Sequence, residues 1–286
     1  MIFDETYTLT NGVKIPKLGF GTWFIDDDRA ADAVRQAVAV GYRHIDTAQA
    51  YGNERGVGEG VRTCGIPREA LFVTSKVAAE HKTYQSAMDS IDETLEKMGL
   101  NYLDLMIIHS PQPWAEWRGE NRYFEENREV WKAMEDAYGA GKLRAIGVSN
   151  FLQDDLNSLL PGCTVRPMVN QILVHIGNTP VSLIEYCRAQ HIQVESYAPF
   201  GHGPILRSEA VLQTAQKYGV TAAQLCVRYA IQMGTAALPK SGNPEHMKEN
   251  AAVDFVISDA DMELLQTLSL ENPYGDFSIF PVFSGK

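Results

Sequence analysis

The chain is poor in the features that would assign it quickly. Its four cysteines, Cys64, Cys163, Cys187 and Cys226, lie far apart and form no CxxC pair, which leaves no zinc knuckle and no disulfide framework and points to a reducing compartment. The N-terminus MIFDETYTLTNG has no basic segment followed by an apolar run, and no stretch approaches the roughly 18 uninterrupted apolar residues of a membrane span. Positive charge is scarce: 25 Lys and Arg stand against 36 Asp and Glu, a net charge of −11, the wrong field for a general nucleic-acid or anionic-membrane surface. Familiar fingerprints are missing as well. GFGTWF and GHGPIL lack the third glycine of a dinucleotide-binding GxGxxG, GVGEG has the wrong spacing, and GAGKL lacks the upstream glycine and the hydroxyl of a P-loop. Neither HExxH nor GxSxG occurs. A cytoplasmic protein acting on a small molecule is the expectation that remains.

What is present is a regular alternation. YTLTNGVKIPKLGFG carries Asn11-Gly12 between two extended runs, a hairpin signal ahead of the main fold. DRAADAVRQAVAVG places Ala30, Val34, Ala37 and Val38 on one helical stripe, with Asp28 as the expected N-cap and Gly41 as the stop. RHIDTA, LFVTSKV, YLDLMIIHS, LRAIGVSN, PMVNQI, QVESYAPF and TAALPKS read as strands with helical segments between them, including the glycine-interrupted NERGVGEGVRTC. With PKLGFG these make at least eight strand-like runs, and no linker or repeat divides them. The spacing predicts a parallel (β/α)8 TIM barrel, a single α/β domain over residues 1–286 with an N-terminal β-hairpin before its first strand. SPQPWAEWRGENRY is too long and aromatic for a plain connector and reads as a loop over a pocket.

The informative residues are the polar ones that close these strands: Asp46, Lys76, His109, Ser149 with Asn150, Asn170 with Gln171, Tyr197, and Lys240 with Ser241. In a barrel such C-terminal ends converge on one mouth. Alternation puts Leu103, Leu105, Ile107 and His109 on one face, Phe72, Thr74 and Lys76 on another strand's matching face, and His44 one layer below Asp46, as a core histidine. A lysine in that line must either snorkel to water or be paired, and Asp46 is the obvious partner. Tyr51, just beyond, is a phenol that a neighbouring ammonium makes more acidic. Four groups then have roles in reducing a carbonyl: Tyr51 protonates the oxygen as negative charge builds on it, Lys76 lowers the phenol's pKa, Asp46 holds Lys76 charged, and His109 donates a hydrogen bond to the same oxygen. A metal-dependent barrel hydrolase with His44, Asp46 and His109 as ligands is the competing enzymatic reading. A barrel that binds a cofactor without turnover is the other.

GFGTW, GYRHIDTAQAYGNE, LFVTSK, YLDLMIIHSP, IGVSNF, VNQI, SYAPFG and LPKSGNPEHMKEN stand in the order and at about the separations of the aldo-keto reductases, and the chain resembles that family along almost its whole length. The resemblance implies a (β/α)8 barrel with NADP(H) extended across its mouth, and matches Asp46, Tyr51, Lys76 and His109 to the catalytic tetrad. It implies that Ser149, Asn150 and Gln171 bind the nicotinamide carboxamide and Tyr197 stacks on its ring. Pro199, Phe200 and Gly201 fall where the family wraps the pyrophosphate, and Lys240, Ser241, His246, Glu249 and Asn250 in the segment that grips the adenosine end. Thr22, Trp23 and Asp46 are counted with the cofactor residues, and Trp23, Tyr51, His109 and Trp114 with the substrate pocket. Two positions depart from the pattern. His246 stands where an arginine often clamps the 2′-phosphate, so NADP(H) is expected to be preferred, helped by Lys240 and Lys248, with NAD(H) also used. Ser110 stands where many members have a tryptophan. The implied protein is a monomeric reductase of aldehydes and some ketones, with a small carbonyl compound as partner and neither nucleic acid nor membrane.

Overall fold

The computed structural model describes residues 1–270 and 274–284. The chain opens with an antiparallel hairpin of β1 (Thr6–Thr8) and β2 (Lys14–Pro16). Its turn is the expected one: Gly12 adopts φ 87°, and its N–H bonds to the carbonyl of Leu9. Asn11 does more than turn the chain, since its Nδ2 donates to the carbonyl of Arg144 at 2.8 Å. Leu9 and Ile15 are buried in one apolar cluster with Phe72, Leu105, Ile107, Ala145, Met168 and Val169. The hairpin therefore stoppers the N-terminal end of the main sheet, leaving the opposite end for chemistry.

The body is an eight-stranded parallel sheet in sequential order: β3 (Phe20–Gly21), β4 (His44–Asp46), β5 (Phe72–Val77), β6 (Leu105–Ile108), β7 (Ile146–Ser149), β8 (Val169–Leu173), β9 (Gln193–Tyr197) and β10 (Ala236–Leu238). The first and last strands meet. Leu18 bridges Ala237 in parallel, Ala237 N donates to Lys17 O at 2.8 Å, and Gly19 N donates to Ala237 O at 2.9 Å. This closes the barrel and leaves no sheet edge. The helices come after the strands as a (β/α)8 fold requires. They are α1 (Asp27–Val40), α2 (Glu54–Thr63), α3 (Tyr84–Met98), α4 (Phe124–Gly139), α5 (Gln153–Leu159), α6 (Val181–Ala189), the pair α7 (Glu209–Lys217) and α8 (Ala222–Gln232) after β9, α9 (Pro244–Ala251), and the additional α10 (Asp259–Thr267).

Two details of the first helices differ from expectation or explain it. α1 begins at Asp27 with Asp26 in the N-cap position, not Asp28. In the run Asp26-Asp27-Asp28 composition alone does not choose the cap, and the tertiary structure does: Asp27 Oδ1 accepts from Gly56 N at 2.7 Å, and its Oδ2 lies 2.5 Å from Arg55. The glycines of α2 are contact points. A Cβ at Gly56 would overlap the carbonyl of Asp27, and one at Gly58 would overlap the backbone of Met98 at the end of α3. Glycine lowers helix propensity, and here it lets α2 lie backbone to backbone between its neighbours. Because α2 comes directly after the loop that carries Tyr51, this close packing fixes where that loop leaves the barrel.

Gly58→Ala is accordingly expected to destabilise the fold by about 1–3 kcal/mol through overpacking, despite the better helix propensity of alanine. Equilibrium denaturation of the variant measures this; an unchanged or higher midpoint contradicts the close approach.

Candidate active site

Register determines which polar residues meet. β4 pairs with β5 so that Asp46 lies opposite Thr74, which puts Lys76 one inward-facing position further toward the mouth. From there the lysine reaches back. Its Nζ lies 2.6 Å from Asp46 Oδ1 and donates to the carbonyl of Thr47 at 2.8 Å, and the side chain is 1% exposed. Burial alone would lower the ammonium's pKa. The Asp46 carboxylate and the Tyr51 oxygen outweigh it, and the lysine pKa ends above its ordinary value. The Thr47 carbonyl is itself held in place. Thr47 Oγ1 donates to Asn53 Oδ1 at 2.7 Å, and Asn53 Nδ2 donates to the carbonyls of Thr22 and Ile25, both at 2.9 Å. Asn53 thus locks together the loops that leave β3 and β4.

Tyr51 closes a single 3₁₀ turn, Gln49–Tyr51, ended by Gly52 at φ 69°, so it is more ordered than the open loop its flanking glycine suggests. Gln49 anchors that turn to β5 and α3: its Oε1 accepts from Ala78 N at 2.7 Å and its Nε2 donates to Ser90 O and Thr94 Oγ1, each at 3.0 Å. Lys76 Nζ lies 4.9 Å from the centre of the Tyr51 ring. The short hydrogen bonds of the ammonium go to Asp46 and Thr47, and toward the phenol it acts as a nearby charge and a weaker hydrogen-bond partner. The expected acidity of that phenol is corrected by its surroundings. Burial raises the Tyr51 pKa more than Lys76 lowers it, and Asp46 adds to the rise, so the phenol lies above its usual value of 10.0 and is fully protonated at neutral pH. The lysine tempers the cost of removing that proton without creating a standing phenolate.

His109 lies just past the end of β6, is 8% exposed, and sets its ring edge-on to Tyr51 with centroids 5.6 Å apart. Burial, with Lys76 adding repulsion, holds its pKa well below 6.5, and the imidazole is neutral. A neutral imidazole can donate one hydrogen bond to an oxygen without competing for the phenol's proton. Its main chain is fixed by Asn150, whose Nδ2 donates to the His109 carbonyl at 3.1 Å. Asn150 adopts φ 62° and is bonded on both sides of its amide: Nδ2 also donates to Ser149 Oγ at 3.0 Å, and Oδ1 accepts from the Tyr197 hydroxyl at 2.7 Å. Ser149 Oγ donates to the Gln171 carbonyl at 2.8 Å. Gln171 Nε2 donates to Asp46 Oδ2 at 2.9 Å and to Glu195 Oε2 at 3.0 Å. The polar ends of six strands therefore form one connected network.

Above it opens a cavity of about 600 Å³. Of the residues expected at the cofactor and substrate, Thr22, Trp23, Asp46, Tyr51, His109, Trp114, Ser149, Asn150, Gln171, Tyr197, Pro199, Phe200 and Lys240 line it. Gly201, Ser241, His246, Glu249 and Asn250 do not. Ser241 accepts from Asn243 N at 3.1 Å, and His246, Glu249 and Asn250 lie on α9, with His246 exposed and Asn250 buried. The segment after β9 has left-handed backbone at Ala198, Gly201, His202 and Gly203, two of them non-glycine, so a strained loop borders the cavity. Ser110 is fully buried and gives the cavity no wall. Trp114 supplies it from the loop beyond, edge-on to His109 at 5.1 Å. Lys82 braces the base of that loop by donating to the carbonyls of Ser110 and Pro111 and to Asn127 Oδ1.

The metal-site alternative is not assembled. Among the described residues no group of three His, Cys, Asp or Glu side chains is placed to hold a metal ion, and His44 instead contacts Thr74 Oγ1 at 3.0 Å, its Nδ1 without a partner. Sequence reasoning misses Asn53 and Glu195. Asn53 sits in the run YGNE, where a buried asparagine beside a turn is a usable signal. Glu195 is a carboxylate in the middle of a buried strand, a costly placement that is itself the signal.

The family model described as Aldo/keto reductase family matches residues 17–269. The glyoxal reductase of Bacillus subtilis (strain 168) is 38% identical over 273 residues, covering 95% of each chain. The crystal structure of an aldo/keto reductase from Brucella melitensis superposes with TM-score 0.86 at 34% identity, covering 93% of this chain and 98% of that one. An aldo-keto reductase complexed with NADPH superposes with TM-score 0.83 at 32% identity, covering 93% and 88%. The chain belongs to the aldo-keto reductase family. It is an oxidoreductase that uses NADP(H) and acts on carbonyl groups.

Asp46→Asn in this reductase leaves a buried ammonium without its counter-charge and is expected to cost about 3–5 kcal/mol of stability at neutral pH. The loss should shrink as pH rises toward the ordinary lysine value, because Lys76 can then be buried neutral. Denaturation midpoints of both proteins across pH 7–10 test this; a loss independent of pH assigns it to something other than Lys76.

Proposed function

We propose that the protein reduces aldehydes and some ketones to alcohols with Tyr51 as the acid that protonates the carbonyl oxygen. The observation that carries this reading is the convergence of a protonated phenol, a buried Lys76–Asp46 pair and a neutral His109 on one cavity. When bound, NADP(H) supplies the hydride that goes to the carbonyl carbon. As charge develops on the oxygen, the Tyr51 hydroxyl hands over its proton, and the adjacent ammonium stabilises the phenolate left behind. His109 donates to the same oxygen and orients it. Trp23 and Trp114 hold the substrate against these groups.

The donor set fits the dinucleotide. Ser149, Asn150 and Gln171 present hydroxyl and amide groups beside the ring of Tyr197 on one wall of the cavity, which suits an amide-bearing aromatic ring. In this reading they hold the nicotinamide, with Thr22, Trp23 and Asp46 nearby. Pro199, Phe200 and Gly201 take the pyrophosphate, and Lys240, Ser241, His246, Glu249 and Asn250 the adenosine end. Lys240 lines the cavity, and a cation there favours the additional phosphate of NADP(H); NAD(H) is the secondary cofactor because His246 cannot form an arginine fork. The working unit is a single monomeric barrel spanning residues 1–286, cytoplasmic, with a small carbonyl compound as its partner and without nucleic-acid or membrane partners. The acidic composition supports that assignment, as does the lack, among the described residues, of a helix long and apolar enough to cross a membrane.

Tyr51→Phe is expected to lower kcat by about a hundred- to ten-thousandfold, while the NADPH dissociation constant, read from quenching of tryptophan fluorescence, changes little. Retained turnover would mean that another group is the acid. His246→Arg should raise the ratio of kcat/KM for NADPH over NADH by about tenfold, through a bidentate contact to the 2′-phosphate. An unchanged ratio removes residue 246 from the ribose site.

A further inference from the structure

We propose that Glu195, which touches neither cavity nor solvent, is a positioning residue of the reductase: as a neutral carboxylic acid beneath the mouth it fixes the Gln171 amide against Asp46, and its neutrality keeps Asp46 as the one negative charge facing Lys76. The proposal rests on the carbonyl-reductase reading for its kinetic part and on geometry for the rest.

Glu195 lies on β9 opposite Gln171 of β8 and Ala236 of β10, and it is 0% exposed. Its side chain enters the barrel interior. Val194, on the other face of the strand, belongs to the same apolar core cluster as Ile184 and Cys187 of α6. The ionisable groups that bear on the carboxyl come from the interior, Asp46 and His44 from β4 and Lys76 from β5, and Tyr197 is the next inward position along β9. Gln171 is the polar neighbour on β8, and Ala236 of β10 carries no ionisable group. Oε2 accepts from Gln171 Nε2 at 3.0 Å, and Oε1 has no hydrogen-bond partner, with His44 Nε2 the nearest basic atom at 3.6 Å.

Complete burial with a single neutral donor points to the charge state. One neutral donor is far too little to hold an ionised carboxylate that has lost all its water. Burial, with Asp46 adding repulsion, pushes the carboxyl up to about 8, and burial with Lys76 pushes the nearby His44 imidazole down to about 3. At neutral pH the proton therefore belongs to the carboxyl and the imidazole is uncharged. The mechanical role comes from Gln171, whose two amide hydrogens are shared between Asp46 Oδ2 and Glu195 Oε2. With one acceptor on each side the amide cannot rotate, and Asp46 is held with its other oxygen on Lys76. Ionisation of Glu195 adds a second negative charge to this cluster. That charge makes the Tyr51 phenol hold its proton more tightly, and proton donation to the substrate slows.

Three measurements test this. Infrared spectra of the wild-type protein should contain the carbonyl stretch of a buried protonated carboxylic acid at pH 7 that fades toward pH 9.5 and is absent from E195Q at every pH. In carbonyl reduction, the wild-type kcat should fall by about three- to tenfold between pH 7 and pH 9, whereas the same ratio in E195Q should stay within about twofold. Glu195→Leu, which removes the acceptor from Gln171, should lower kcat by about tenfold at pH 7, and E195Q, which keeps an acceptor, should recover most of it. A wild-type spectrum without the protonated-acid band, an E195Q profile that declines like the wild type, or full activity in Glu195→Leu each overturns the proposal. Should Glu195→Leu fail to fold, the spectrum and the E195Q profile decide. If no carbonyl compound is turned over at all, the reductase reading fails while the infrared band still reports on Glu195.

Discussion

Lys76 is a full positive charge that the fold has taken almost completely out of water, and the mouth of the barrel is organised around keeping it there. A buried ammonium without compensation costs several kcal/mol. Asp46 at 2.6 Å and the Thr47 carbonyl at 2.8 Å supply the compensation, and both come from the end of the neighbouring strand. That proximity is a property of barrel register, not of sequence distance. Each of the two acceptors is in turn held by a buried amide, Gln171 for Asp46 and Asn53 for the loop of Thr47. A small displacement of either amide would loosen the pair, which explains why a fully buried polar side chain is spent at Asn53, away from the cavity lining.

Around this pair Tyr51, His109, His44 and Glu195 are neutral for the same reason the pair is tight. Low water content penalises charge on Tyr51, His109, His44 and Glu195, while the one ammonium adds repulsion to the two histidines. The result is a single dipole of defined direction next to a phenol that still has its proton. Such an arrangement suits reduction better than a preformed phenolate would. The proton has to be present when charge appears on the substrate oxygen, and the ammonium matters most after it has left. The expectation that Lys76 makes Tyr51 acidic identifies the right interaction and the wrong balance, because it counts the charge without the desolvation.

Much of this is legible in the linear chain. Strand ends carrying Asp46, Lys76 and His109 are unmistakable once eight apolar runs are placed in a barrel, and alternation correctly turns Phe72, Thr74 and Lys76 inward. The motif-bearing stretches cover most of those strands, which is why fold and tetrad can be read together. What fails to show are choices made by tertiary contact. Asp26 rather than Asp28 takes the N-cap position of α1, without a side-chain capping bond, while Asp27 accepts from Gly56 N of α2, a contact between segments almost thirty residues apart. Glu195 is passed over because period-two reasoning treats inward positions of a barrel strand as apolar. Its place is stabilised only by Gln171 on the next strand and by a proton, and neither is visible in a string of letters.

The wall of the cavity obeys a different logic from the core beneath it. Trp23 comes from the loop after β3, Trp114 from the loop after β6, and Phe277 and Phe280 from beyond the last helix, yet all line one cavity. His202, in the strained loop after β9, stacks on Phe277 with centroids 3.9 Å apart and stands edge-on to Trp23 at 5.3 Å. The loop after β9 and the C-terminal segment are therefore joined by packing, and among the described residues His202 Nε2 has no hydrogen-bond partner. With Ser110 buried and Trp114 lining the cavity, the shape of this wall is set by loops while Asp46, Lys76 and His109 beneath are set by strands. The two can change independently, since a new side chain at Trp114 alters what fits above His109 without disturbing the amides that hold Asp46 and Lys76 in register.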